Sequence, residues 1–506
     1  MGGHRGGRRA LWGGAACAGL VAALVAVALL AGVGGEGGTG GDAAPTSTAR
    51  PGAVTTAHRP PTTAVAGTPA SPAPVPLPVP APPAGLPGPL DCAVAPAPRP
   101  LDSARPRYVA DLAVDVVGGT ATGEVHVAFI PDLAVDHLVF RLWANGPRSL
   151  GAGGGLEVTG VGASARVAST EQPDPTTLVV RLGAPVQAGE TVEATVAWRL
   201  LLPFRADDRV AFGEGWARLG SVVPLLAWEA GVGWALAPGT AGFAEASLAP
   251  AADWDLGVRV AEGYEVLATG ALVGDRWLAV GARDVAVSIG RFRRATAVVA
   301  APGPVEVTVA VAEGLPDHPA TYLATVSDAL TSFAARFGPY PWPAYTLAVT
   351  PDLGGGIEYP GHVMQGPSAG DGTTSHEVAH QWFYGLVGND QGRDPVLDEG
   401  LATYAELTHL GVALDPAAWP MPDTALGAAG QPMAYWDQHA DSYYEGVYVQ
   451  GALALAALGP PDLVDCGLRA YAAENAWAIA TPAGLVATMA RVAPAAPAVL
   501  ASYGIG

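Results

Sequence analysis

The sequence predicts an α+β protein, with an N-terminal antiparallel β domain over residues 101–312 and a mixed α/β domain over 313–506 whose C-terminal half is mainly helical. Two observations carry this. Residues 108–117, 124–129, 137–142, 177–182 and 191–198 are short runs of alternating apolar residues broken by glycine and proline, and 246–270 continues the pattern. Period-two alternation at this spacing marks half-buried strands. Beyond residue 315 the apolar period becomes helical, and strands followed by helices make an α+β arrangement rather than repeated βαβ units.

The elements of the second domain follow in order. Asp317 and Pro319 open a helix through Tyr322, Val326, Leu330 and Phe333, which Gly338 and its prolines close. A strand is expected at 346–350, followed by the glycine run Gly354, Gly355 and Gly356 that leads into Glu358. Helices are expected around 376–384, 398–410, 443–458, 463–474 and 482–492.

The 506 residues leave room for these two domains once non-globular segments are set aside. Arg5, Arg8 and Arg9 precede an uncharged run over 10–35, apolar at its centre and long enough to span a bilayer. Residues 1–35 therefore read as a signal peptide or an N-terminal membrane anchor, which makes the rest of the chain exported: secreted if cleaved, membrane-attached if not. Residues 36–100 are rich in proline, alanine and threonine, have few large apolar residues, and read as a disordered tether. Cys92 and Cys466 lie in the exported part, where pairing and two free thiols are both open. A net charge of −20, with no lysine in the chain, argues against nucleic acid as a partner.

The chemistry concentrates in His376-Glu377-Val378-Ala379-His380, an H-E-x-x-H. On a helix, residues four apart share a face, so both imidazoles reach one metal ion and Glu377 sits beside it as a base. Two histidines leave a catalytic zinc one protein ligand short. Glu399 supplies the third, in Asp398-Glu399-Gly400-Leu401-Ala402-Thr403-Tyr404, where a second helix begins. The same motif also arises by chance on surface helices, but here an apolar aromatic stretch and a returning acidic helix surround it.

At these residues the chain resembles the gluzincin zinc aminopeptidases, the family of alanyl aminopeptidase and leukotriene hydrolase. The distance from His380 to Glu399 and the wording Asp-Glu-Gly-Leu-Ala-Thr-Tyr are similar to that family's. So are Gly355-Gly356-Ile357-Glu358-Tyr359, resembling its G-x-M-E-N exopeptidase motif, and Tyr448-Val449-Gln450-Gly451-Ala452, resembling its Y-x-x-G-A segment. The resemblance implies a thermolysin-like catalytic domain holding one Zn2+ through His376, His380 and Glu399. It further implies Glu377 as general base, Tyr448 as the donor to the tetrahedral intermediate, and a substrate-binding Glu358 with Gly355 and Gly356, taking peptides with a free N-terminus.

Ile357 and Tyr359 stand where the family has methionine and asparagine, and the glutamine-bearing segment of many members has no good match. With the chain ending at Gly506, a short form without the family's C-terminal helical domain is expected. An open-cleft metallo-endopeptidase and a non-catalytic peptide-binding surface module are the alternatives. Thr403 is a further residue near the metal, with helix packing as its ordinary role. His362, His409, His439 and Arg393 read as structural, and the oligomeric state is open.

Overall fold

The computed structural model describes residues 90–237, 239–241, 248–367 and 369–506. The signal or anchor expected at 1–35, and the expected tether up to residue 89, lie outside them. Among the described residues no single helix is long and apolar enough to cross a membrane.

The β region runs from Arg107 to Ala312. Its largest sheet has seven strands in the spatial order Ala271–Val273, Arg276–Ala282, Ala252–Val260, Arg107–Asp115, Thr120–Phe129, Val192–Leu201 and Gly155–Ala163. A four-stranded sheet built on Val135–Arg141 and Thr177–Val186 shares its core. The alternation in the first strand turns Tyr108, Ala110, Leu112 and Val114 inward, and Tyr108 stacks on Trp254 with centroids 4.0 Å apart. One pairing departs from the expected antiparallel arrangement: Arg107–Asp115 runs parallel to Ala252–Val260. Alternation reports which face a residue occupies and carries no information on strand direction. The long excursion between these strands gives the chain length to return in the same sense.

A short helix, α1 (Pro147–Gly151), interrupts the strands. The next helix, α2 (Pro319–Phe337), is capped by His318 Nδ1, which accepts from the Ala320 amide at 3.3 Å; Asp317 instead receives the Tyr322 hydroxyl. Its buried face, Tyr322, Val326, Leu330, Phe333 and Phe337, covers a five-stranded sheet. That sheet runs Phe292–Ala300, Pro304–Ala312, Ala344–Val349, His362–Gln365 and Gly356–Ile357, with the three inner strands parallel and both edges antiparallel. The edge Gly356–Ile357 borders α3 (Asp371–Ala379), which is followed by α4 (Glu399–His409) and the short α5 (Met433–Trp436). A π-helical turn, Tyr444–Val449, leads into α6 (Gln450–Ala456), and α7 (Pro461–Glu474), α8 (Pro482–Met489) and α9 (Ala496–Ser502) complete the chain.

Two expected helices are corrected. The segment 376–384 is helical only to Ala379: turns follow from His380, and Tyr384 takes a φ of 119°, which no helix residue adopts. The segment 443–458 divides at the π-turn before Gln450.

Cys92 and Cys466 form a disulfide that ties the start of the described chain to α7. The same strap continues as Arg99 N donates to Ala473 O at 2.7 Å. A buried polar cluster joins the β region to the strand bearing Glu358. Ser221 Oγ donates to Asp284 Oδ2 at 2.6 Å and lies 3.2 Å from the Tyr359 hydroxyl, which rests directly on Gly220.

Burial pushes the Asp284 carboxyl up to about 7, partly offset by its hydrogen bonds from Ser221 and the Val285 amide. A carboxyl raised on folding stabilises the fold most below its unfolded pKa, and that contribution fades as pH climbs through the folded value. Asp284→Asn should therefore gain in Tm relative to wild type between about pH 4 and pH 7. A Tm difference flat across that window in thermal melts would refute this.

Candidate active site

The two histidines of the motif sit at the end of α3, with His380 as its C-terminal cap, and Glu399 opens α4. All three are buried. His380 Nε2 lies 3.0 Å from His376 Nε2, and Glu399 Oε2 lies 3.1 Å from His376 Nε2 and 3.4 Å from His380 Nε2. The far side of each ring is engaged: His380 Nδ1 meets Phe383 O at 3.0 Å, and His376 Nδ1 meets Glu406 Oε2 at 3.2 Å. A carbonyl only accepts, so His380 carries its proton on Nδ1 and turns the Nε2 lone pair inward. Acceptors converging in a dry site repel one another, whereas a divalent cation satisfies them together. Two imidazoles, each oriented by an outer partner, and one carboxylate are the protein ligand set of catalytic zinc.

The electrostatics show how strongly the cluster asks for positive charge. Burial opposes protonation of His376, but its hydrogen bonds to the Glu399 and Glu406 carboxylates outweigh it and hold its pKa well above the usual value. Burial likewise opposes His380, and the charges of Glu399 and Glu358 raise it to about 9. Glu399 is held well below the usual carboxylate range, against burial, by His380 and His376. A metal ion supplies the same positive charge without protons.

Glu377 is buried, and its Oε2 has no hydrogen-bond partner. Burial pushes its carboxyl up to about 8, with His380 and His376 pulling the other way. The side chain lies on Gly356: a Cβ there would fall 2.3 Å from Glu377 Oε1 and 2.4 Å from its carboxyl carbon. Gly355 holds the same edge, its carbonyl accepting from Gly366 N at 2.8 Å.

Glu358 follows this edge strand, and its carboxylate gathers with those of Glu377 and the His380 ring, one potential ligand atom from each lying within 4.8 Å of the others. Gln391 Nε2 steadies it, donating to Glu358 Oε1 at 3.1 Å and to Asp398 Oδ2 at 2.8 Å. Ile357 and Tyr359 pack on the other face, against Ala286, Leu353 and Met364. The two departures from the family motif thus face the β region, away from the carboxylates.

Tyr448 lies near the end of the π-turn with its ring stacked on His376, centroids 5.6 Å apart and planes within 16°. The approach depends on a glycine crossing. A Cβ on Gly451 would lie 2.7 Å from the Gly400 Cα, so the two helices meet backbone to backbone one residue beyond Glu399. Of the competing tyrosines, Tyr435 gives its hydroxyl to Thr424 O, and Tyr443 and Tyr444 pack on the Tyr448 ring.

Glu406, Gln391 and the Phe383 carbonyl escaped the sequence reading. Glu406 had a signal, lying seven residues and two helical turns beyond Glu399. Thr403 Oγ1 donates to Glu399 O at 2.7 Å within the helix, which is its ordinary role. Arg393 is ion-paired with Asp390, Asp394 and Glu229. His362, His409 and His439 contact Ser288, Ser332 and Tyr435, away from the cluster.

Gly356→Ala should displace the Glu377 carboxylate and lower kcat by about 100-fold, the upper range for a mispositioned group, while metal content stays unchanged. A variant that turns over normally would show that Glu377 tolerates the shift.

No family model matches the chain. It is 32% identical over 116 residues to aminopeptidase B of Mus musculus, a match that spans 21% of this chain and 18% of that protein. Among solved structures it is similar to an M1 zinc metallopeptidase from Deinococcus radiodurans, with a TM-score of 0.56 and 19% identity over 80% of this chain and 96% of the other. A mutant of the Deinococcus radiodurans M1 metallopeptidase bound to the peptide Tyr-Ser-Ala gives 0.55 at 20% identity, covering 80% and 96%. A two-domain M1 zinc metallopeptidase mutant bound to L-arginine gives 0.57 at 20% identity, covering 80% and 95%. The chain has the fold of the two-domain M1 zinc metallopeptidases.

Proposed function

We propose that the chain is a zinc-dependent aminopeptidase that hydrolyses the N-terminal residue from peptides. The observation that carries this reading is the gathering of Glu377 and Glu358 beside the His376, His380 and Glu399 cluster. Zinc held by those three side chains supplies Lewis acidity, acidifying water and polarising a carbonyl. Glu377 takes the proton of the attacking water and passes it to the leaving amine, a task its unpartnered Oε2 leaves it free to perform. The Tyr448 hydroxyl donates to the carbonyl oxygen as negative charge develops there. Glu358 pairs with the substrate ammonium, and Gly355 and Gly356 give the peptide backbone close access along the edge strand. The peptide bound to one structural relative and the amino acid bound to another have the free amine this arrangement would recognise.

Export belongs to the same reading. The basic residues ahead of the apolar run at 10–35 support it, and so does the Cys92–Cys466 disulfide, since such bonds persist in oxidising compartments. The catalytic part then works outside the cell, on a tether from the membrane or released from it.

Purified protein should hold about one zinc per chain, as three-ligand catalytic sites do. Glu399→Ala should lose metal and activity together, while Glu377→Gln keeps the metal and loses turnover. Peptide hydrolysis that survives exhaustive chelation, with no zinc in the metal analysis, would defeat the reading.

The register of cleavage tests Glu358. A charge-assisted contact in a partly desolvated site contributes roughly 1.5–3 kcal/mol. Glu358→Ala should therefore cut kcat/KM for free-amine peptides by about 10- to 100-fold and leave N-acetylated peptides at their low wild-type rate. Wild-type enzyme cleaving both classes equally would point to an endopeptidase instead.

A further inference from the structure

Arg283 lies in the turn between Arg276–Ala282 and Ala286–Gly290 and is 3% exposed. Its guanidinium meets backbone carbonyls: Nε donates to Tyr384 O at 3.0 Å, and Nη2 to Leu386 O at 3.3 Å and Ala478 O at 2.7 Å. Nη1 donates to Ala249 O at 3.1 Å. The planar fork also rests on Gly388, where a Cβ would fall 2.2 Å from the Arg283 Cζ. One arginine of the β region thus holds the segment that leaves α3 at three places.

That segment is strained where it is held. Tyr384 is a buried, non-glycine residue with φ 119°, a conformation that costs of order 1–3 kcal/mol and persists only when its surroundings enforce it. The preceding carbonyl, Phe383 O, is the acceptor for His380 Nδ1. Its direction fixes which nitrogen of His380 bears the proton and where the ring points. Relaxation of Tyr384 turns the Phe383–Tyr384 peptide and carries that carbonyl with it.

Resting on the zinc-peptidase reading above, we propose that Arg283 is a positioning residue for the metal centre: by clamping the strained turn at Tyr384 it aims the Phe383 carbonyl at His380 and so presents the His380 Nε2 lone pair to zinc. The β region then acts on the metal as well as packing against the domain that binds it. Outer partners of metal-bound histidines typically govern metal affinity by 10- to 100-fold.

The test measures zinc affinity of the full chain by competition with a chelator, at a temperature where every variant is folded, so it is independent of turnover. Arg283→Met, which keeps the stem and removes the donors, should bind zinc about 10- to 100-fold more weakly. Arg283→Lys, which retains charge without the fork, should fall between it and wild type. Arg218→Met is the control. Its guanidinium also caps backbone carbonyls, those of Ala206 and Asp352 among them, but its hydrogen bonds go to none in the turn after α3. It should lower Tm and leave zinc affinity at the wild-type value.

Wild-type affinity in Arg283→Met, or equal losses in Arg283→Met and Arg218→Met, would overturn the proposal and leave Arg283 as a packing element. If Arg283→Met does not fold, Arg283→Lys decides alone, and wild-type zinc affinity in it overturns the proposal. A wild-type chain that binds zinc tightly but cleaves no peptide would instead defeat the aminopeptidase reading and leave this one standing.

Discussion

Two imidazoles and a carboxylate buried within 3.4 Å of one another set the terms for the structure around them. Their lone pairs face a common point, so the arrangement is unfavourable unless a cation satisfies it and rigid packing holds it ready. Each ligand is accordingly fixed from behind. The Phe383 carbonyl holds His380, Glu406 holds His376, and the first turn of α4 holds Glu399. Two of these supports lie on α4 and the third on the turn after α3. The catalytic part therefore cannot shrink to the helix that carries the motif.

Close backbone approach is the second constraint, and glycine meets it at two places. Gly356 lets the edge strand pass under the Glu377 carboxylate, and the Gly400–Gly451 crossing brings the helix behind Tyr448 onto the helix of Glu399. In both, a single methyl would push apart elements that the cluster holds in contact. The Y-x-x-G-A segment has a physical reading on these terms: its glycine sets the helix spacing that puts the tyrosine ring on His376.

What the sequence made legible follows from the same physics. His376, Glu377, His380 and Glu399 were readable because helical spacing alone puts the motif on one face and a catalytic zinc needs a third ligand. The β and helical regions were readable from their apolar periods. Strand direction was not, since alternation is blind to it, and the parallel pairing of Arg107–Asp115 with Ala252–Val260 appears only in three dimensions. The end of α3 was misread because Trp382, Phe383 and Tyr384 continue an apolar helical pattern, while the positive φ of Tyr384 is imposed from outside the segment. The Phe383 carbonyl could not be found from sequence at all, because every residue has one.

Ile357 and Tyr359, on either side of Glu358, depart from the letters of the motif that the segment resembles. In the structure both turn toward the β region, where Ile357 packs in the cluster of Leu353 and Met364 and the Tyr359 hydroxyl lies against Ser221. Glu358, between them, turns the other way, to Gln391 and the cluster around Glu377. A change at these flanks adjusts how the strand is seated on its support and leaves the carboxylate's direction to the backbone. The buried Ser221 and Asp284 pair supplies that seat. The departures at 357 and 359 are thus matched to the β region beneath them, while the Glu358 carboxylate, between them, faces the cluster of Glu377 and His380.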